Sequence, residues 1–113
     1  MAQRSKKLMA PALLTASAAT YYTAPTGVRA RNLWLTVNNP TATAYTATVY
    51  IVPSGGSASA TNTISYQKTI LPGRTEIFYE LYGHVLDPAD FIQALASTNG
   101  VINMQLSGVE ESA

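Results

Sequence analysis

From residue 19 onward, short runs of β-favouring residues alternate with clusters of Gly, Pro, Asn and Ser. The run at 44–52 is the clearest, because Ala47 and Val49 alternate with Thr46, Thr48 and Tyr50. In the run at 28–37, Leu33, Leu35 and Val37 fall on one face and Trp34 and Thr36 on the other. This period of two predicts strands that bury one face and expose the other.

Seven such runs punctuate the chain, and no segment has the length and period of an amphipathic helix. The runs span 21–23, 28–37, 44–52, 63–71, 74–82, 91–96 and 101–106. In the fourth run Ile64, Tyr66 and Ile70 are expected to face inward, and Asn99-Gly100 is expected to close a hairpin between the last two runs. The pattern predicts an all-β protein: an antiparallel β-sandwich or jelly roll of about seven to eight short strands, with a barrel as the alternative.

Residues 1–19 follow a different pattern. Arg4, Lys6 and Lys7 precede an apolar stretch at 8–14 that Pro11 interrupts. We interpret 1–19 as an extended basic N-terminal arm, whose deletion should leave the domain folded, and 20–113 as a single β-sandwich domain with a short acidic C-terminal tail. The alternative is a secretory signal peptide, with the small residues at 16–18 as its cleavage site.

The composition of the chain excludes several classes of function and partner. The chain has 113 residues, only 12% of them charged, and a net charge of +1, so no global field favours nucleic acid, which is not an expected partner. The absence of cysteine excludes disulfides, thiolate nucleophiles and Cys-ligated metals. No apolar run approaches the roughly 20 residues of a membrane-spanning helix, so no membrane partner is expected.

Charge is segregated along the chain. Every Lys and Arg lies at or before Arg74, and every Asp and Glu lies at or after Glu76. The two halves of a sandwich interleave, so this order need not separate charge in space. A basic start and an acidic end indicate either contacts between neighbouring copies or simply solvated termini.

No constellation points to catalysis, a metal or a cofactor. His84 precedes Asp87 and Asp90 by three and six positions, which suits a polar turn better than a metal site, since Pro88 restricts Asp87 to extended geometry. Ser54-Gly55-Gly56-Ser57 lacks the lysine of a phosphate-binding loop. The sequence therefore predicts a protein that is not an enzyme.

An interaction surface is the better-supported site. Thr48 and Tyr50 on one strand, and Ser65 and Gln67 on the next, would form a neutral outward face, and such faces desolvate cheaply. Seven tyrosines exceed what a small core needs, and exposed tyrosines often anchor interfaces. The candidate interface residues are Arg4, Lys6, Lys7, Tyr21, Tyr22, Trp34, Tyr50 and Tyr82.

Turn and strand motifs at 22–27 (YTAPTG), 52–57 (VPSGGS), 71–76 (LPGRTE) and 90–94 (DFIQA) occur together. In this combination the chain resembles small β-sandwich virion proteins of tailed bacteriophages, over about residues 20–111. The resemblance implies a capsid decoration or cement protein that stabilises contacts between capsomers. It further implies a dimer or trimer bound to the major capsid protein or another virion protein, located in a virion assembled in the host cytoplasm.

Two other functions stay open. The first is a receptor- or carbohydrate-binding module of a phage tail or fibre, with its site at Tyr82, His84, Asp87 and Asp90 or on the 53–62 loop. The second is a secreted bacterial adhesion domain, which would require that residues 1–19 are a signal peptide.

Overall fold

The computed structural model describes residues 3–113, which form strands joined by loops and two short 3-10 helices. Residues 1 and 2 of the predicted arm lie outside this range. The strands are β1 (Arg4–Lys7), β2 (Ala12–Leu13), β3 (Ala19–Thr23), β4 (Val28–Asn38), β5 (Tyr45–Val52), β6 (Thr63–Ile70), β7 (Thr75–Ile77), β8 (Phe91–Ala96) and β9 (Asn103–Ser112). The 3-10 helices are Ala60–Asn62 and Tyr79–Leu81. No helix in this range is long and apolar enough to cross a membrane.

The strands form two antiparallel sheets that pack against each other. The first sheet has the order β1-β9-β4-β7, with β2 also paired to β9, and the second has the order β3-β8-β5-β6. The predicted all-β antiparallel sandwich is confirmed. Two of its strands, β1 and β2, lie where the pattern predicted only an arm.

The core forms between the sheets from the residues that the period of two assigned to the inner face. Leu33, Leu35 and Val37 of β4 are fully buried, whereas Trp34 between them is exposed. Val49 and Ile92 bury their side chains from the second sheet. Each such side chain contributes roughly 1.5–3 kcal/mol when it leaves water.

A β-bulge in β4 allows residues on both sides of it to face the core. Ala30 and Leu33 are both fully buried, although an unbroken strand would place them on opposite faces. The register with β9 shifts between Arg31 and Trp34, where Asn32 adopts a φ of 53°. Asparagine tolerates this left-handed conformation better than most residues, so the extra position is inserted there.

A second bulge reverses the faces predicted for the middle of β6, whereas Ile64 and Ile70 face the core as predicted. Tyr66 was expected inside and is 71% exposed, whereas Ser65 was expected outside and is buried. The cause is an irregular register with β5, combined with a φ of 48° at Gln67. Its backbone N–H donates to the Thr48 hydroxyl at 3.0 Å, so Thr48 is buried as well. A non-glycine residue in this region costs roughly 1–2 kcal/mol.

The predicted separate arm differs from the structure, because residues 4–14 are part of the sandwich. Strands β1 and β2 pair with β9, the last strand of the chain. Leu8, Met9 and Leu14 join the core cluster. The edge of β9 would otherwise leave its N–H and C=O groups unpaired, and the apolar stretch at 8–14 covers core side chains beside it. The segment is extended and basic, but it does not project from the domain.

Two local predictions for the second half of the chain are wrong. The runs at 91–96 and 101–106 do not form a hairpin, since β8 and β9 belong to different sheets. Their connection bonds instead to the N-terminal segment, as when Gly100 N–H donates to the Leu14 carbonyl. The run at 74–82 is a strand only over Thr75–Ile77 and then becomes the 3-10 helix Tyr79–Leu81.

Gly108 lies in the first sheet at a position with little room for a side chain. A Cβ at this position would lie 3.0 Å from both the Arg31 carbonyl oxygen and Leu8 Cδ1. We expect Gly108→Ala to lower the free energy of unfolding by about 1–3 kcal/mol through overpacking, as measured by urea denaturation. Gly83→Ala is the matched control, because a Cβ there meets nothing within 4 Å; an equal loss in both variants would contradict the explanation.

Candidate functional site

Three exposed aromatic side chains form a cluster on the outer face of the first sheet. Trp34 projects from the middle of β4, and Tyr79 and Tyr82 flank it from the second 3-10 helix and its C-cap. The ring centroids of Trp34 and Tyr79 are 5.6 Å apart and those of Trp34 and Tyr82 are 6.1 Å apart, both with edge-on geometry. Their exposed fractions are 42%, 65% and 49% respectively. We call these three residues the aromatic patch.

Buried anchors hold the patch in place. Phe78 and Leu81 lie in the core on either side of Tyr79. Phe78 N–H donates to the Leu35 carbonyl at 2.9 Å, and Tyr82 N–H donates to the Tyr79 carbonyl at 3.0 Å. The helix is thereby fixed to β4 beside Trp34, so a partner would meet a preorganised surface.

The surroundings of the patch are polar but mostly neutral. Lys7, Ser107 and Trp34 are aligned across three adjacent strands and share one face of the sheet. The next outward row pairs Thr36 with Gln105. Neutral side chains release water more cheaply than a Lys/Glu surface does, and Tyr and Trp are enriched in interface cores. These are properties of surfaces that bind a partner.

Of the sequence-predicted interface residues, the structure brings Lys7, Trp34 and Tyr82 onto this one face. Tyr79 belongs to the same cluster and was missed. The pattern assigned it to a strand, where its side chain would alternate with Phe78. The signal that could have found it is the position of an aromatic residue between Phe78 and Leu81, at the spacing of a single helical turn.

The other predicted residues lie elsewhere. Arg4 and Lys6 are exposed on the opposite face of β1, and Tyr50 lies on the second sheet. Tyr21 packs against the core, and Tyr22 is buried, so neither is an exposed anchor. The reason is a register shift between Thr20 and Tyr22 in β3, which lets two consecutive tyrosines contact the core.

Tyr22 instead completes a buried polar cluster that joins the two sheets. Its hydroxyl donates to Glu110 Oε2 at 2.6 Å, and Lys6 Nζ lies 3.1 Å from Glu110 Oε1. The hydrogen bond from Tyr22, followed by the charge and hydrogen bond of Lys6, holds the pKa of the Glu110 carboxyl below its usual value. Burial and the same carboxylate raise the pKa of the Tyr22 hydroxyl. This cluster fastens the N-terminal segment.

The segregated charges pair within the chain. Each ion pair in the described range joins a base from the first part to an acid from the second: Lys6–Glu110, Arg29–Asp87, Arg31–Glu111 and Lys68–Glu80. The basic start and the acidic end lie side by side in neighbouring strands. Contacts between the termini of neighbouring copies are therefore not needed to explain the charge pattern.

The carboxylates of the polar loop at 84–90 already accept hydrogen bonds from other groups of the protein. Asp87 accepts from Arg29 Nε at 3.2 Å, and Asp90 accepts from the backbone N–H groups of Ser54 and Asp87. Across residues 3–113, no group of three or more His, Cys, Asp or Glu side chains is placed to hold a metal ion. These carboxylates order loops, as the turn interpretation expected.

The architecture defines a class, the two-sheet antiparallel β-sandwich proteins. Comparison of the sequence finds no matching family model and no matching curated protein. Comparison of the fold does find similar structures. A protein of Bacillus endospore appendages, described as a novel family of disulfide-linked pili, is similar with a TM-score of 0.59 at 13% identity, over 97% of this chain and 88% of that chain.

A chain in the structure of infectious bursal disease virus, Gx strain, is similar with a TM-score of 0.50 at 14% identity. The match covers 96% of this chain but only 31% of the viral chain, so this protein spans about a third of that protein's length. At these identities the similarity establishes a shared sandwich fold.

Proposed function

We propose that this protein is a non-enzymatic structural component of a virion, and specifically a decoration or cement protein that binds across contacts between capsomers of a tailed bacteriophage. The observation that carries the proposal is the aromatic patch. It presents three rigidly held aromatic side chains on a neutral sheet face. A protein that adds contact area to a lattice needs such a surface and no reactive group.

The fold comparisons support an assembly role. One similar structure belongs to a pilus and another to a virus particle. The pilus proteins are described as disulfide-linked, whereas this chain has no cysteine. Disulfides therefore do not link copies of this chain in the assembly that we propose, and many weak contacts on a symmetric lattice add up to high avidity.

The structure also changes which residues we propose as contacts. The N-terminal segment is used within the sandwich, so it is not a free tether to a neighbouring subunit. We assign the partner contact to the aromatic patch with Lys7 beside it. A dimer or trimer would present several copies of this face to the capsid or to another virion protein.

The experiment that tests the proposal measures location and binding together. Purified particles are analysed by quantitative mass spectrometry for the copy number of this chain, and isolated protein is tested for binding to particles stripped of it. Hundreds of copies on the shell support the decoration role. A few copies at the tail, or none in the particle, contradict it.

Replacing Trp34 is expected to weaken particle binding strongly. Truncation of a central aromatic residue in an interface costs about 2 kcal/mol or more, so Trp34→Ala should raise the dissociation constant at least about 30-fold. The matched control is Tyr66→Ala, which removes an exposed aromatic side chain from the other sheet. Equal affinity of Trp34→Ala and the unmodified protein would exclude the patch as the contact.

A further inference from the structure

A cleft opens on the second sheet, away from the aromatic patch. Its volume is about 400 Å³, and it is lined by Tyr50, Ser59, Ala60, Thr63 and Tyr66. Tyr50 comes from β5, Thr63 and Tyr66 come from the edge strand β6, and Ser59 and Ala60 come from the loop and 3-10 helix that join these strands. This volume falls in the range of small-molecule sites, which is roughly 300–1,000 Å³.

The backbone is distorted where it places Tyr66 at the cleft. Regular alternation through Ile64 and Ile70 would turn this tyrosine inward, but the bulge with Gln67 at a φ of 48° leaves it 71% exposed. Bulges often serve to re-aim a side chain beside a functional site. A strained residue that exposes a large aromatic ring next to a cavity points to a ligand for that ring.

The loop and 3-10 helix that line the cleft are held in place by their own hydrogen bonds. Ser59 N–H donates to Asn62 Oδ1, and Thr61 N–H donates to the Ser59 hydroxyl, which closes a reciprocal cap at the 3-10 helix. Asn62 Nδ2 donates to the Ser57 carbonyl, and the Thr63 hydroxyl donates to the Ser59 carbonyl. These bonds order a loop of small polar residues, so binding a ligand would cost little conformational entropy in this loop.

The chemistry of the lining selects the ligand class. No charged residue lines the cleft, which disfavours phosphates, carboxylates and cations as ligands. Tyr50 and Tyr66 each bring a phenol hydroxyl to the cleft, and such a hydroxyl can both donate and accept a hydrogen bond. An aromatic ring can stack against the C–H face of a sugar ring, while phenol hydroxyls bond its equatorial hydroxyl groups.

We propose that this cleft binds a neutral saccharide, with Tyr66 as the stacking surface and the Tyr50 hydroxyl as a hydrogen-bonding group. The inference does not depend on the virion assignment, because it concerns the opposite sheet and a different set of side chains. It places the saccharide at Tyr50, Tyr66 and the end of the 53–62 loop, which is one of the two positions that the sequence suggested, rather than at the loop containing His84, Asp87 and Asp90.

The test is an NMR titration of the full chain with glucose, galactose, mannose and N-acetylglucosamine. We expect at least one sugar to shift the amide signals of Tyr50, Ser59, Thr63 and Tyr66, with a dissociation constant of about 1 mM or tighter. Tyr66→Ala should weaken this binding at least about tenfold, and Tyr50→Phe should weaken it by a smaller factor.

The matched control is Tyr79→Ala, which removes a similarly exposed tyrosine from the aromatic patch and should leave saccharide affinity unchanged. Because Tyr66 is mostly exposed, its variant is expected to fold, and the amide spectrum of each variant verifies this. The proposal is overturned by the absence of shifts at the cleft up to roughly 100 mM sugar, by shifts that persist in Tyr66→Ala, or by equal binding of glucuronic acid. Loss of particle binding without loss of sugar binding would affect only the virion assignment.

Discussion

Deletion of residues 1–15 is expected to abolish cooperative folding of the sandwich. The deletion removes Leu8, Met9 and Leu14 from the core, and truncation of one buried leucine alone costs about 2–5 kcal/mol. It also bares the edge of β9 and leaves the Glu110 carboxylate buried without Lys6. Together these losses are as large as the free energy of unfolding of most domains, which is roughly 5–15 kcal/mol. Circular dichroism and urea denaturation measure the loss.

The control for this deletion is the double variant Arg4→Gln, Lys7→Gln, which changes exposed charges but keeps the apolar anchors. Its free energy of unfolding should stay within about 0.5 kcal/mol of the unmodified protein. Recovery of folding when a synthetic peptide of residues 3–15 is added would tie the loss to the missing strand. A truncated chain that unfolds cooperatively at the original midpoint would restore the interpretation of these residues as a free arm.

The pairing of the N-terminal segment could not be predicted from the local sequence. Its partner, β9, lies about a hundred positions away, as in the pairing of Arg4 with Glu110. No local pattern records such a pairing, and Pro11 breaks the alternation that would identify a strand. By contrast, most of β4 and β5 could be predicted, because central strands with one buried face carry the period of two outside their irregular positions.

At the end of β4, an asparagine side chain bonds the backbone of the turn that follows. Asn39 is fully buried, and its side chain donates to the carbonyls of Thr43 and Ile70 and accepts from Thr41. This function of asparagine in turns follows from its residue type. Bulges are harder to predict, since one inserted residue exchanges the two faces of a strand. The bulges in β3 and β6 therefore reversed the expectations for Tyr22 and Tyr66.

Part of the candidate site could be predicted from the sequence, and part could not. Trp34 could be predicted as an outward residue because it lies between two buried leucines in the part of β4 that follows the bulge. Tyr79 could not, because whether a short aromatic run is a strand or a 3-10 helix depends on how Phe78 and Leu81 pack against β4. The exposure of Tyr79 in the patch and of Tyr66 at the cleft is set by tertiary contacts.

Acidification is expected to destabilise the protein through Glu110. The folded state lowers the pKa of this carboxyl below its ordinary value of 4.5, mainly through the hydrogen bond from Tyr22. A lowered folded-state pKa means that the unfolded chain takes up the proton first as the pH falls. The stabilisation is therefore complete well above pH 4.5 and is lost as the pH falls through 4.5 towards the folded-state pKa. Thermal unfolding between neutral pH and pH 3 measures this loss, with about pH 3 as the lower limit of the scan.

Glu110→Gln separates this carboxyl from the others that titrate in the same range. The variant should lose about 2 kcal/mol at neutral pH, because hydrogen bonds to a charged group are replaced by bonds to a neutral amide. Its unfolding temperature should then change less with acidification than that of the unmodified protein. Tyr22→Phe should move the acid transition to higher pH, since it removes the main cause of the lowered pKa. Glu76→Gln is the control, as Glu76 makes no ion pair in the described structure. If Glu110→Gln and Glu76→Gln have the same pH profile, the buried cluster does not control acid stability.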